Sequence, residues 1–458
     1  MMPTNHRILR TDSEQARLES TTPLHSPPRS GGDFELAAYP RIIRTEGIDI
    51  SLPAEPTTRI EPSDEPMFVF RHLVFSSRLN LLLILAPFAA LGSFFRWNAA
   101  AVFLLSLFSI APLAERLGYI TEQLALHTNE TIGGLLNATF GNATEMIISF
   151  FALLKGVPSS GDNSLYYRRL VQVSLLGSVI SNLLLVFGSS LLIGGCRYHI
   201  QYFNQHGGRA SVTLFLVATT AVVSPLVIDV SISEQAAESS ILAFSRFASV
   251  VLFALYLVFL NFQLRSHRML FEENSGFYRM RKSSLSVDET EDTSVEDTND
   301  GEEQLIIGWN GSLVALAVVS ILISFLSSYL VNAVEGAAKL LELPEEFVGA
   351  VLIPIVGNAA EHTSAVYMAY KNKMDVAVGI AVGSAVQISV SVLPCCILIG
   401  WVIGAPIDLK FERFEVFAFI ISVISAGYSI SGGSSNYLQG VVLISIYLFL
   451  SMGFWLFN

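Results

Sequence analysis

The sequence predicts an all-α polytopic membrane protein of about 11 transmembrane helices: one extra N-terminal helix plus two inverted five-helix repeats. Three observations predict it. First, 52% of the 458 residues are hydrophobic and only 14% are charged, against about 25% charged in a soluble domain. Second, the charges gather at the N-terminus and in one internal loop, which leaves nearly uncharged runs as long as the ~18 residues that mark a span. Third, the motif GNATE at Gly141–Glu145 returns as GNAAE at Gly357–Glu361. The net charge of −12 comes largely from one acidic segment, and no basic stripe points to nucleic acid. The three cysteines, Cys196, Cys395 and Cys396, show no CxxC or zinc spacing; lying in or beside apolar spans, they are expected to be small buried apolar groups.

Residues 1–72 are rich in Ser, Thr, Pro, Arg and Glu without an apolar leader core, and read as a disordered cytosolic tail. The extra first helix occupies 73–97. The first repeat, 98–264, reads as spans at 98–118, 131–155, 170–194, 211–232 and 244–264, with a short amphipathic piece after the first of these. A hydrophilic loop, 265–306, holds nine carboxylates between Asp288 and Glu303, without the glycine and ligand spacing of an EF-hand. The second repeat, 307–458, reads as spans at 309–331, 346–370, 375–404, 414–430 and 437–457, again with an amphipathic piece after the first. In lipid the backbone must satisfy its own hydrogen bonds, so the spans are helices. Arg265, Arg268, Arg279, Arg281 and Lys282 open the long loop and favour a cytosolic loop and N-terminus, which leaves the C-terminus lumenal; Lys155, Arg168 and Arg169 oppose that order.

The repeat extends beyond the five-residue motif. Glu130 and Gly133 match Glu346 and Gly349 at the same offset, and one span later GSVISN from Gly177 matches GSAVQI from Gly383. An odd number of helices per unit inverts the second copy, and substrate sites in such folds lie at the midplane, where the copies meet.

Glu145 is the residue that demands explanation, because a carboxylate in mid-bilayer costs roughly 2.5–3.5 kcal/mol on insertion scales. In an uninterrupted helix it would lie about 21 Å along from Thr131. Gly133, Asn137, Gly141 and Glu145 would form one stripe, matched by Gly349, Ile353, Gly357 and Glu361. Asn142 and Asn358 precede the glutamates by three residues. Their amide oxygens, the two carboxylates and freed backbone carbonyls around Gly141 and Gly357 make an all-oxygen set of the kind that hard Ca²⁺ takes. Amide side chains also bridge helices, so packing is the competing role for both asparagines. Ser178, Ser181, Ser384 and Gln387 are weaker candidates, and His362 is either a neighbour of the site or a proton acceptor. Pro354 removes a helical hydrogen bond and would free the carbonyl of Ala350. Asn129, Asn137 and Asn142 each fit N-x-Thr, but Asn137 and Asn142 lie inside a span, away from any glycosylating enzyme.

TIGGLLNATFGNATEMI and GNAAEH, with GSVISN and GSAVQI, resemble the Ca²⁺/H⁺ exchanger family of the cation/Ca²⁺ exchanger superfamily, most of all its fungal vacuolar members. The resemblance covers roughly residues 75–458. It implies an antiporter that moves Ca²⁺ from the cytosol into the vacuole lumen for H⁺ by alternating access. Glu145 and Glu361 would be the essential pair that binds Ca²⁺ or protons in turn, Ser181 and Gln387 would stand beside them, and the helix near 99–129 would slide to gate access. No cofactor is implied, only Ca²⁺ and H⁺ as cargo, in a multi-pass protein of the vacuolar membrane. Self-association, and regulatory contacts through the tail and the acidic loop, are compatible with it. The alternatives are a Na⁺-coupled Ca²⁺ exchanger, an Mn²⁺/H⁺ antiporter, a passive channel and an intramembrane enzyme, the last without an HExxH motif. Glu145→Gln and Glu361→Gln are each expected to abolish ΔpH-driven Ca²⁺ uptake into vesicles; parental uptake in either would remove it from the site.

Overall fold

Long apolar segments leave the chain one economical answer, and it is helical almost throughout. The computed structural model describes residues 62–158, 163–231, 233–268 and 305–456; the predicted tail up to residue 61 and the acidic stretch Asp288–Glu303 lie outside the described residues. In order the helices are α1 Pro66–Phe75, α2 Leu85–Phe94 with a 3-10 lead-in at Arg78–Ile84, α3 Ala99–Leu126, α4 Glu130–Phe140, α5 Ala143–Lys155, α6 Ser164–Arg197, α7 Gln205–Ser231 and α8 Glu234–Asn261. Then come α9 Trp309–Leu340, α10 (345–357), α11 Ala359–Tyr370, α12 Met374–Ile403, α13 Arg413–Ser431 and α14 Tyr437–Leu456. Eight helices among the described residues are long and apolar enough to cross a membrane, and the pair Pro66–Phe75 and Arg78–Phe94 passes the same test only when taken together across a 102° bend.

Four expectations change. Residues 66–72, read as tail, begin helix α1. The amphipathic pieces after the 98–118 and 309–331 spans are not separate; they complete the single helices α3 and α9, since an amphipathic turn continues a helix when its apolar side still has a neighbour. The two spans that carry the motifs are not continuous: each breaks at its asparagine, into α4 and α5 and into α10 and α11. The stripe drawn through Gly133, Asn137, Gly141 and Glu145 dissolves with that break, and Asn137 is exposed while Glu145 is buried. Of the cysteines only Cys396 is buried; Cys395 is half-buried and Cys196 exposed, the last at the end of α6.

Local chemistry sets the ends. Asn98 and Asn129 cap α3 and α4, their side chains accepting from Ala101 N and Ile132 N. Glu412 and Glu415 form a capping box on α13. Gly404, at φ 80°, ends α12 in the left-handed region that favours glycine.

The connections sort onto two sides. On the near side, β1 Gln201–Tyr202 pairs antiparallel with β2 Ser434–Ser435, and Gln201 Nε2 donates to Ala369 O and Asn372. On the far side, Arg168 donates to Pro406 O, Gln172 to Asp408, and Arg169 and Lys410 pair with Glu415 and Asp229. Between them α6 is almost wholly buried and forms the axis of the molecule, while α3 and α9, the first helices of the two halves, pack along one another. Helices α6 and α12 each carry a π segment, Ser181–Val186 and Ile388–Val392, just after their Gly-Ser steps. Such segments frequently mark functional sites.

The halves are alike in sequence but unlike in packing. In α10, Val348, Gly349, Ala350 and Val351 are buried against α6. A Cβ at Gly177 would collide with the carbonyl oxygen of Ala350, and one at Gly349 would lie 3.1 Å from Val173. Pro354 follows a π segment at Val348–Leu352, and the Ala350 carbonyl, which it would free, faces α6. The matching elements, α4 and α12, are apart: Ile132 and Leu135 are exposed, and a Cβ at Gly383 meets nothing within 4 Å. Gly177→Ala should therefore destabilise the detergent-solubilised chain by about 1–3 kcal/mol, as overpacking does, while Gly383→Ala melts like the parent; thermal unfolding of the two variants checks this.

Candidate functional site

The site is made by the two broken helices. At Asn142 (φ −110°, ψ 26°) and Asn358 (φ −86°, ψ 16°) the backbone leaves the helix for one residue. A new helix starts at once, with the Asn142 and Asn358 carbonyls accepting from Met146 N and His362 N. Glu145 and Glu361 consequently stand in the first turns of α5 and α11, where the positive end of the helix dipole favours negative charge. The small residues Gly141 and Gly357 end the preceding half-helices.

Glu145 crosses toward the opposite motif. Its Oε1 lies 3.3 Å from where a Cβ on Gly357 would be, so a side chain there would crowd that oxygen by a few tenths of an ångström. The Glu145 carboxyl is buried, and the Gly357 it approaches stands four residues before Glu361. Glu145 Oε1 and Glu361 Oε2 are buried without a hydrogen-bond partner among the described residues, which is costly in a low-dielectric interior. No three His, Cys, Asp or Glu side chains cluster as a metal cage among the described residues. An ion here would rest on two carboxylates and neutral oxygens.

The asparagines tie the halves together. Asn142 Oδ1 accepts from Ser384 Oγ at 2.7 Å, and its Nδ2 donates to Gln387 Oε1 at 2.7 Å. Reciprocally, Asn358 Oδ1 accepts from Ser178 Oγ at 2.8 Å, and its Nδ2 donates to Ser178 O at 3.2 Å. Each motif asparagine thus grips the Gly-Ser helix of the other half. Bridging is what the geometry displays, and each amide oxygen keeps a second lone pair for an ion.

The remaining candidates divide. Ser178, Ser384 and Gln387 are joined to the motifs by these bonds. Ser181 instead stands beside Tyr447 of α14, its Oγ buried without a hydrogen-bond partner among the described residues. His362 Nε2 lies 2.9 Å from Ser189 Oγ, which also lies 3.0 Å from Val186 O. Sequence reasoning missed Asn182. Fully buried, it donates through Nδ2 to Ser384 Oγ at 3.1 Å, leaving Oδ1 unpartnered among the described residues. Because the Ser384 hydroxyl spends its one proton on Asn142, the amide of Asn182 is the donor, and bonds run in one direction from Asn182 through Ser384 and Asn142 to Gln387. The asparagine that closes GSVISN was the available signal; its partner position holds Ile388, so a search for symmetric pairs passed over it.

A double-mutant cycle on unfolding should give coupling of about 0.5–3 kcal/mol for Asn142→Ala with Ser384→Ala, and for Asn358→Ala with Ser178→Ala. The mismatched combination of Asn142→Ala with Ser178→Ala should be close to additive.

Comparison with known proteins places this geometry. Residues 98–265 and 311–456 match the family described as sodium/calcium exchanger protein. The vacuolar cation/proton exchanger 5 of Arabidopsis thaliana is 40% identical over 395 residues, covering 86% of this chain and 84% of the relative. The vacuolar calcium ion transporter of Schizosaccharomyces pombe is 34% identical over 385 residues, covering 84% and 86%. Among solved structures, the Ca²⁺/H⁺ antiporter protein YfkE superposes with a TM-score of 0.63 at 33% identity, over 82% of this chain and 98% of that one. The matched segments contain both broken helices and both Gly-Ser helices, and the chain belongs to the sodium/calcium exchanger protein family.

Proposed function

We propose that the protein is a secondary antiporter that loads Ca²⁺ into a vacuole in exchange for H⁺, with Glu145 and Glu361 as the groups that hold Ca²⁺ or protons in turn. The carrying observation is that Glu145 reaches Gly357 of the opposite motif, and that Glu145 Oε1 and Glu361 Oε2, one from each half, are buried without a hydrogen-bond partner among the described residues. Two bare carboxylates there repel one another; protons or a divalent cation remove that repulsion, and the two occupants exclude each other. Asn142, Asn358, Gly141, Gly357, Ser178, Ser384 and Gln387 complete the surroundings, with Asn182 added and Ser181 and His362 further out. The names of the Arabidopsis and fission yeast relatives and of YfkE support the choice of cargo and membrane.

In this reading α2, with its lead-in, is the extra first helix. Counting α4–α5 and α10–α11 as one crossing each gives eleven, in two inverted sets of five. The near side is cytosolic. Supporting this, Arg169 and Lys410, far-side cations that oppose it by count, are paired with Glu415 and Asp229. The tight seal of α10 on α6 and the looseness of α4 fit a state open to the near side, and alternating access would exchange the two packings.

The energetics are feasible. Concentrating Ca²⁺ by about 10⁴-fold costs roughly 5.5 kcal/mol, and each proton descending about 2 pH units returns roughly 2.7 kcal/mol. Two protons roughly balance the load, and a third would add the membrane potential, about 2.3 kcal/mol per charge per 100 mV.

Vesicles of the purified chain under separate gradients test the reading. An acidic lumen alone should drive Ca²⁺ uptake, and a Na⁺ gradient without ΔpH should not. Uptake on Na⁺ alone would establish the sodium-coupled alternative. Mn²⁺ uptake under ΔpH, competing with Ca²⁺, would widen the cargo.

A further inference from the structure

The first described helix, α1, has no place in the ion site and an unusual setting. It meets the helical segment Arg78–Phe94 at 102°. If that segment crosses the bilayer, α1 lies in the plane of its near-side surface. Ten residues reach only about 15 Å, too short to span.

One face of α1 is firmly seated. Val69 is buried and its Cγ2 lies 3.1 Å from where a Cβ on Gly311 would be. His72 Nε2 bonds Tyr119 Oη at 3.0 Å, and Asn80 Nδ2 donates to Leu73 O and Val74 O, closing the bend. Just before α1 the chain forms a clasp: Ser63 bridges Ile307, and Asp64 Oδ1 accepts from Gly311 N at 2.7 Å. The helix is therefore held at both ends and cannot turn its other face inward.

That other face is apolar and bare. Met67, Phe70 and Phe75 are 70%, 61% and 78% exposed. Arg71 shares the stripe and Arg78 comes just after the bend; both are exposed and neither has an ion-pair partner among the described residues. Large apolar side chains with interspersed arginine, on a helix lying crosswise to a span, match the chemistry of the headgroup boundary.

We propose that α1 docks on the near-side leaflet, burying Met67, Phe70 and Phe75 among the acyl chains while Arg71 and Arg78 engage lipid phosphates, so that anionic lipid deepens its seating. Continuity carries the choice of occupant, because the span that starts at Arg78 fixes α1 at the bilayer surface. The arginines snorkel to the phosphates, and anionic headgroups attract them.

Nitroxide labels test this in the full chain reconstituted into vesicles. They are placed at Phe70→Cys, Phe75→Cys and, as a water-exposed reference, Glu65→Cys, with the three native cysteines replaced. The labels at 70 and 75 should collide with oxygen and be shielded from a water-soluble nickel complex, with the reverse at 65. Adding phosphatidylserine to phosphatidylcholine should move the label at 70 deeper, and Arg71→Gln with Arg78→Gln should remove that shift. Nickel access at 70 equal to that at 65 would overturn the proposal. Shielding from both reagents would overturn it too, by showing that protein covers the face. A depth unaffected by phosphatidylserine in the parent would refute the role of the arginines. None of these readings depends on transport.

Discussion

Two carboxylates cannot share a buried site as bare charges, and the rest of this molecule answers that constraint. Glu145 and Glu361 come from opposite halves of the chain; water does not reach Glu145 Oε1 or Glu361 Oε2, and Glu145 Oε1 lies against Gly357 of the opposite motif. A soluble protein would solvate them. In the proposed mechanism a proton or a divalent cation neutralises them. The breaks at Asn142 and Asn358 make the meeting geometrically feasible: each puts its glutamate in the first turn of a fresh half-helix, with the dipole turned toward the charge.

Holding two such half-helices together requires polar bonds, because apolar burial gives no advantage against lipid. The reciprocal pairs, Asn142 with Ser384 and Asn358 with Ser178, provide them. Each crosses from one repeat to the other, so that neither half can shift at the site without disturbing its counterpart. The packing around these pairs is not symmetric. The close contact of Gly177 with the Ala350 carbonyl has no equivalent at Gly383. Near-identical motifs thus sit in two different packings, which the proposed alternating access would exchange.

Much of this was legible in the sequence. The apolar runs gave α6, α7, α8, α12, α13 and α14 within a few residues, except at the starts of α6, α7 and α8, because hydropathy is a direct record of burial in lipid. The paired motifs and Gly-Ser steps gave the glutamates and the serines that hold the asparagines. The breaks were harder to see. GNATE and GNAAE look helical throughout, as nothing in a lone Gly-Asn step says whether a helix bends or stops; tertiary bonds to Ser384 and Ser178 decide it. The bonds to the asparagines come from Ser178, Ser384 and Gln387; Ser181, the repeat partner of Gln387, is buried with its hydroxyl unpartnered among the described residues. Asn182 has no counterpart in the second repeat, where Ile388 takes its place, so the repeat does not mark it. Helix α1 was hidden by the tail-like composition around it, where one apolar stretch of ten residues says little alone.

The central claim is that protons and Ca²⁺ compete for Glu145 and Glu361. Proton release during Ca²⁺ binding to the purified chain, monitored with a pH indicator in weak buffer, measures that competition without any gradient. The account predicts that protons leave as Ca²⁺ binds, that fewer leave in Glu145→Gln or Glu361→Gln, and that binding weakens as the medium is acidified. Saturable Ca²⁺ binding that releases no protons, with an affinity independent of pH, would contradict it.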